Sequence, residues 1–455
     1  MKIALIRPPK IAGAFEKILI QEPINLAGLA AFLNQNGFKT EIWDFEVEPF
    51  SIDILRSKII RSDISMIGMT SMTPTINNAH DIAKAAKSIF PDIITVAGGA
   101  HVSAIPEQTL REFPDFDYLI LREGEMPLLE LCTAIKENKE VKSISGIAFK
   151  NKSGYKVNPP DCYFDNLDKL PFPDRSLLNN NLYKNIYAAG IDMSGKRSTV
   201  VFTSRGCSQK CTFCAVGKTN GDVVRFRSSE NVIKELEICK NKYGYNHITF
   251  EDTNFTLKKQ RFKEICFGLK NLGLTWDCQT KVSFVDEQMI GLMKECGCLK
   301  IAYGVESGSQ KILELMNKNI TVDQVKKAFS LTHKAGIVAC AFFILGSHPE
   351  ETKDDIEMTH KLIKEIKPDV FQLGIICPYP GTRIYDIMQE YGMIKQINWK
   401  EFNFMHADIR WSTKHVSAEE LVNYQKKIYK SYLLSPHFII FFSDSLPVLR
   451  QKHVL

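Results

Sequence analysis

Three cysteines, Cys207, Cys211 and Cys214, fall within eight residues in the stretch Ser204-Arg-Gly-Cys-Ser-Gln-Lys-Cys-Thr-Phe-Cys214. They stand directly behind an apolar run at 199–203 that reads as a buried strand. Three thiolates on one short loop can hold three corners of an iron–sulfur cubane. With no fourth cysteine at a fitting offset, one iron is left open to bind and activate a further molecule. The chain has 12 cysteines in 455 residues, and chance puts two partners at these offsets around any of them only roughly 1% of the time. A structural zinc site is the first rival. It needs four closed ligands, whereas Cys239 lies 25 residues on and no histidine intervenes between Cys214 and His247. A disulfide framework is the second. The remaining cysteines are scattered singly in apolar segments behind no signal peptide, which suits a reducing compartment instead.

The pattern Cys-x-x-x-Cys-x-aromatic-Cys after a strand resembles the radical S-adenosylmethionine (SAM) superfamily. The resemblance implies a [4Fe-4S] cluster whose open iron is chelated by the amino and carboxylate groups of SAM. It also implies reductive cleavage of a carbon–sulfur bond to give methionine and a 5′-deoxyadenosyl radical that removes hydrogen from substrate. Phe213 would lie beside the adenine, ordinary loop packing being the plainer alternative.

The strand that delivers this loop is the first of six strand–helix pairs, with strands at 199–203, 247–251, 275–279, 299–305, 338–345 and 370–376. Helices between them include 229–243, 286–295, 322–335 and 351–366. Such repetition predicts a (β/α)6 partial TIM barrel with its site at the carboxyl ends of the strands. Polar motifs fall at those ends. In Phe250-Glu-Asp-Thr-Asn-Phe255 the resemblance puts Glu251 and Asp252 at the edge. Asp252 is the favoured acceptor for the SAM ammonium, with a helix-capping role for Thr253 or Asn254 as the rival reading. Lys281 takes the place of a frequent family arginine near the SAM carboxylate, or is a surface lysine. In Tyr303-Gly-Val-Glu-Ser-Gly-Ser309, an acid flanked by glycines fits the ribose diol or methionine end of SAM, which selects Glu306 and Ser307. The segment 341–346 followed by Pro349-Glu-Glu-Thr352 resembles the fifth strand and its adenine-contacting loop. Cys377-Pro-Tyr-Pro-Gly-Thr382 closes the sixth, with Tyr379 facing substrate or serving as a turn aromatic.

The first ~140 residues alternate strands (2–6, 40–44, 65–70, 93–97, 118–121) with amphipathic stretches such as 24–36 and 76–90. This predicts an α/β, doubly wound Rossmann- or flavodoxin-like sheet whose ligands bind beyond the carboxyl ends of its strands. That edge carries Arg7-Pro-Pro9, Thr70-Ser-Met-Thr73, Gly98-Gly-Ala-His101 and Arg122-Glu-Gly-Glu125. These motifs resemble the cobalamin-binding domain fused ahead of radical SAM domains. The resemblance implies cobalamin at Thr70, Ser71, Thr73, Gly98, Gly99, His101, Gly124 and Glu125, its nucleotide tail between the sheet and a helix. The chain departs from the family in placing Arg122 where glycine is frequent. It also lacks the Asp-x-His-x-x-Gly signature, so a histidine ligand to cobalt is not expected, and His101 reads as a hydrogen-bonding residue.

The expected organisation is a cobalamin-binding domain at 1–140, a connector at 141–195, a radical SAM domain at 196–395 and a helical C-terminal extension at 396–455. The connector opens with a hairpin strand near 143–150, and the extension with a helix headed by Ser417. Past it, Phe438-Ile-Ile-Phe-Phe442 could seat an apolar substrate, touch a membrane or pack on the barrel. Apolar content of 44% and charge of 24% are those of an ordinary globular protein. The net charge of +6 is spread without the basic blocks of a nucleic-acid groove, and no apolar run reaches the ~20 residues of a membrane span. The expected protein is a cytoplasmic, cobalamin-dependent radical SAM enzyme that methylates an unactivated carbon of a small-molecule or lipid substrate. Its electrons would come from a partner such as flavodoxin or ferredoxin. A cobalamin-dependent radical cyclase or rearrangement enzyme is the alternative; a cobalamin or redox sensor and a zinc-dependent nucleic-acid binder stand further back.

Overall fold

The computed structural model describes residues 1–10, 21–152, 154–161, 163–183, 191, 193, 195–394, 398–402 and 411–441. Two sheets organise them. The first has seven strands, β1 (Lys2–Arg7), β2 (Lys39–Asp44), β3 (Met66–Thr70), β4 (Ile94–Gly98), β5 (Tyr118–Ile120), β6 (Ile147–Asn151) and β7 (Gly154–Val157), in the order β2-β1-β3-β4-β5-β6-β7. β1 to β5 run parallel, and β6 and β7 add antiparallel beyond β5. The hairpin expected in the connector is thus part of the first sheet. Runs such as Met-Ile-Gly-Met in β3 are buried because helices cover both faces of a parallel sheet. The chain reverses winding between β1 and β3, and at such a switch point adjoining loops diverge and leave a crevice.

The second sheet follows from β8 (Ser198–Val201). A short antiparallel ribbon of β9 (Ser204–Arg205) and β10 (Arg225–Phe226) flanks its end. Then come β11 (His247–Phe250), β12 (Thr275–Thr280), β13 (Cys298–Glu306), β14 (Val338–Leu345) and β15 (Val370–Ile375). The six main strands lie parallel in sequence order, the partial barrel the alternation predicts. Its core is one apolar cluster in which Phe250, Phe255, Phe262 and Trp276 pack edge and face. The indole N–H of Trp276 donates to the Cys296 carbonyl at 2.7 Å.

Where element ends differ from expectation, a side chain has taken over a backbone bond. β8 stops at Val201 and not 203, because the Thr203 N–H donates to the Asp252 carboxylate instead of a neighbouring strand. The helix expected from 351 is Lys353–Ile366, since Thr352 and Asp355 form a capping box and Glu351 turns inward. β15 is an open edge. The helix Ala418–Leu433 covers it, Tyr429 and Gln425 bonding the N–H and C=O of Leu373 at 2.9 and 2.7 Å. Phe438 packs on Tyr432 against the barrel, while Ile439 and Ile440 are exposed and Phe442 lies outside the described residues. Among the described residues no helix is long and apolar enough to cross a membrane.

Candidate functional site

The cysteine loop leaves β8 through Gly206, whose φ is +89° and where a Cβ would stand 2.2 Å from the Val223 carbonyl oxygen, so only glycine fits. Backbone bonds then fix the loop. Cys207 N–H donates to Gly221 O (3.1 Å), Cys214 N–H to Cys211 O (3.2 Å) and Thr212 N–H to Met316 O (2.9 Å). Asn317 Nδ2 donates to Lys210 O at 2.8 Å, so both sides of the loop are held without using a thiol. The three cysteines are free and close together: Cys207 and Cys214 oppose ionisation of Cys211, and Cys207 opposes that of Cys214. Burial pushes the Cys211 thiol up to about 11 and raises Cys214, with Lys318 pulling both down. Thiols so desolvated become thiolates only beside a cationic centre, of the kind an iron–sulfur cluster would supply. Among the described residues no three His, Cys, Asp or Glu side chains close on one point in the manner of a mononuclear metal site. Three corners of a cubane do not require that. Asn254 Nδ2 lies 3.7 Å from Cys207 Sγ, a donor of the kind that tunes cluster potential.

Several predicted SAM contacts gather beside this loop. Lys281 Nζ donates to Gln209 Oε1 at 2.6 Å and feels the charges of Cys211 and Cys207. Glu306 ends β13 in the left-handed region at φ +70°, a conformation that costs an L-residue roughly 1 kcal/mol. Its Oε1 accepts from Lys318 Nζ at 2.6 Å, with both side chains nearly enclosed. Lys318 also sits 5.6 Å over the Phe213 ring. A Cβ at Gly304 would fall 2.5 Å from Glu306 Oε1 and 2.7 Å from Lys318 Nζ, so this glycine clears space for the pair. Lys318 was not foreseen. It sits within a turn between Asn317 and Asn319, both left-handed, and nothing in the local pattern announces that the turn folds back on Glu306.

Two predicted residues have their polar atoms occupied elsewhere. Ser307 is fully buried, bonded to Thr359 Oγ1 at 3.2 Å and accepting from Ser309 N. Asp252 lies under the stem of the loop, where its carboxylate takes the N–H and hydroxyl of Thr203 and the hydroxyl of Ser204. Asp252 therefore positions the loop from below. Asp252→Ala strands those buried donors, at about 1–3 kcal/mol each. It is expected to lower the melting temperature and cluster occupancy, while SAM affinity per intact cluster stays near wild type; equilibrium dialysis against iron content checks this. The neighbouring Glu251 accepts from Gln21 at 3.0 Å and Gln279 at 2.9 Å, joining the segment ahead of the helix Ile24–Gln35 to the second sheet.

The predicted cobalamin edge opens onto a cavity of about 680 Å3 lined by Thr70, Ser71, Gly98, Gly99, Gly124 and Glu125. It runs between the sheet face of Leu5, Gly68, Val96 and Ile120 and the helices Ile24–Gln35 and Glu125–Lys136, and reaches Phe202, Ser204 and Arg205 beside the cysteine loop. Gly99 has φ +105°, and a Cβ there would lie 2.4 Å from Ser71 O. Gly99→Ala is expected to weaken cobalamin uptake at least tenfold and to lower thermal stability, since both atoms it meets first are backbone; spectrophotometric titration and melting curves read the two effects. Thr73 and His101 stand apart from the cavity. His101 Nδ1 pairs with Thr73 Oγ1 at 3.2 Å, and its ring meets Trp399 and Phe113 on the opposite sheet face. Burial there pushes His101 down to about 3, which keeps it neutral.

Glu125 and Glu123 face the ribbon of the second sheet. Arg205 reaches Glu125 at 2.6 Å, and Arg225 grips both oxygens of Glu123 at 2.6 and 2.9 Å. Burial alone would raise Glu125, yet Arg205 overrides it and the carboxyl lies below its ordinary range. These pairs tie the ligand edge of one sheet to the stem of the cysteine loop on the other. Arg122 is left-handed at φ +62°, its guanidinium 5.3 Å from the Tyr163 ring centre, and it lines the same cavity.

In the loop after β14, Glu351 is fully buried, accepting from Ser347 N at 2.7 Å with its other oxygen unpartnered. Burial raises it from 4.5 to about 7. An acid whose folded value lies above its unfolded one contributes stability below about pH 4.5 that is lost as pH rises through about 7. Glu351→Gln, permanently neutral, is expected to melt above wild type at pH 8, with the gap narrowing at pH 5; calorimetry across that window checks the sign.

Residues 201–363 match the Radical SAM superfamily and residues 19–132 the B12 binding domain. The chain is 33% identical to an uncharacterized methyltransferase of Pyrococcus horikoshii, over 97% of this chain and 94% of that protein. It is 30% identical to the anaerobic magnesium-protoporphyrin IX monomethyl ester cyclase of Rubrivivax gelatinosus, over 89% of this chain and 73% of the cyclase. In fold it resembles the radical S-adenosylmethionine methyltransferase TsrM from Kitasatospora setae, solved with cobalamin and a [4Fe-4S] cluster, with a TM-score of 0.72 at 16% identity over 96% of this chain and 89% of that one.

Proposed function

Because the chain belongs to the cobalamin-binding radical SAM enzymes, we propose that it is a C-methyltransferase acting on an unactivated carbon of a small-molecule or lipid substrate. The observation that carries this reading is one cavity bounded on one side by Ser71, Gly98 and Gly99 and on the other by Phe202 and Ser204 at the root of the cysteine loop. Substrate held there reaches both cofactor edges. When bound, the cluster with SAM supplies a radical and the cobalamin a methyl group. The protein's own work is to hold the three thiols and to close the two sheets through Arg205, Arg225, Glu123 and Glu125. Phe202 and Met72 present apolar surface to the cavity and favour a substrate with an apolar body.

Cys207, Cys211 and Cys214 hold the cluster on this reading, with Phe213, Lys281 and Glu306 toward SAM and Thr70, Ser71, Gly98, Gly99 and Gly124 toward cobalamin. Electrons come from a flavodoxin or ferredoxin in the cytoplasm, a setting that suits the eleven free cysteines among the described residues. The test is anaerobic turnover with methyl-labelled SAM and candidate metabolites. Label in the product is the expected result. Product without label, alongside 5′-deoxyadenosine, favours the second reading, a radical cyclisation, which the similarity to the cyclase of Rubrivivax gelatinosus supports.

A further inference from the structure

The basic side chains lining the cavity are Arg7, Lys10, Arg122, Arg205 and Arg227. Four of them are neutralised by carboxylates: Arg7 by Asp44 and Glu46, Lys10 by Glu46, Arg205 by Glu123 and Glu125, and Arg227 by Glu235. Arg122 has no ion pair among the described residues. Its guanidinium lies over the face of Tyr163, which leaves the N–H edge available, and its backbone N–H is fixed by Ser103 Oγ at 2.8 Å. The residue is also held left-handed, where glycine would sit without strain and arginine does not. A strained backbone carrying the one basic side chain of this cavity that lacks an ion pair among the described residues indicates a side chain kept for what it binds.

We propose that Arg122 is the anion-recognising residue of this cavity, taking an oxyanion of the bound molecules: the phosphate of the cobalamin nucleotide tail, or a phosphate or carboxylate of the substrate. The inference rests on the cobalamin reading above. A guanidinium pairs two N–H donors with such a group, and the dry wall of Ile120 and Leu128 beside it strengthens the bond.

The test uses full-length protein purified anaerobically, with Arg122→Gly and Arg122→Lys variants. Fluorescence quenching measures the affinity of each for cobinamide and cobinamide phosphate, which differ in the phosphate alone. Calorimetry measures inorganic phosphate binding to cobalamin-loaded protein. Wild type is expected to hold cobinamide phosphate about tenfold more tightly than cobinamide. The ratio falls to about one in Arg122→Gly and to an intermediate value in Arg122→Lys. Unliganded Arg122→Gly is expected to melt above wild type, which separates lost recognition from lost folding. Should the corrinoid ratio be unchanged while phosphate binding to loaded protein falls in Arg122→Gly, the oxyanion belongs to the substrate. Equal values for wild type and Arg122→Gly in both titrations overturn the proposal. A wild type that binds no corrinoid overturns the cobalamin reading instead, and the phosphate titration on unloaded protein then decides Arg122 separately.

Discussion

Alanine in place of any one of Cys207, Cys211 and Cys214 is expected to give a folded protein that takes up little iron on anaerobic reconstitution. Such a protein lacks iron–sulfur charge-transfer absorbance and releases no 5′-deoxyadenosine above background. Two remaining thiolates cannot hold a cubane with one iron left open, so the loss is complete and not graded. Folding survives because the loop's backbone is fixed by bonds to the carbonyls of Gly221 and Met316 and by the Asn317 side chain, none of which uses a thiol. Cys239 and Cys266 supply the contrast. Both are buried in the barrel core away from the loop, and burial raises both thiols. Alanine at either is expected to keep full iron content and to cost about 1 kcal/mol of packing. Iron analysis and melting curves on the five variants separate the two classes; a loop variant retaining full iron would show that the cluster is anchored elsewhere.

The second large effect is expected at Lys318, which joins Glu306, the cysteine loop and Phe213. Lys318→Met leaves the Glu306 carboxylate enclosed with no cation, and breaking a buried pair in this way costs about 3–5 kcal/mol. The melting temperature should fall clearly. SAM cleavage should be lost as well, since Lys318 is the cation that favours ionised Cys211 and Cys214, the thiols that would hold the cluster, and it pairs with Glu306 beside them. The double variant Lys318→Met, Glu306→Met distinguishes the two roles. Removing both charges is expected to restore most of the stability, because a buried pair is often replaced by apolar groups at little cost. SAM cleavage should stay absent. Recovery of cleavage in the double variant would reduce the pair to a structural one.

The parts of this molecule legible in its sequence are those that depend on neighbours along the chain. The cysteine spacing and the helix cap at Ser417 are local, and so is the apolar run of each parallel strand. Strand and helix limits were off by a few residues where a distant side chain intervened, as Asp252 does at Thr203. Of the predicted contacts, Glu306 and Lys281 do lie by the loop. Ser307 and Asp252 are equally polar and equally well placed along their strands, yet turn their atoms to Thr359 and Thr203. Pattern cannot distinguish these cases, since a strand end presents its polar groups to whatever the next loop brings.

His101 illustrates the same limit on the first sheet. Its motif marks the ligand edge, but the short helix Ala100–Ala104 turns the imidazole to the opposite face, against Trp399 from far along the chain. Arg205 with Glu125, Arg225 with Glu123, and Lys318 with Glu306 likewise join residues whose separation carries no periodic signal.

By itself, then, the sequence determined the two sheet types, the thiol loop and the ligand edge, because hydrophobic period and ligand spacing act over a few residues. Only the tertiary structure decided that the stem of the loop and the ligand edge share one cavity, which basic side chains inside it are neutralised and that Arg122 is not. Those outcomes depend on how two separately wound sheets face each other, and the pairing of charges across that gap is set by distance in space.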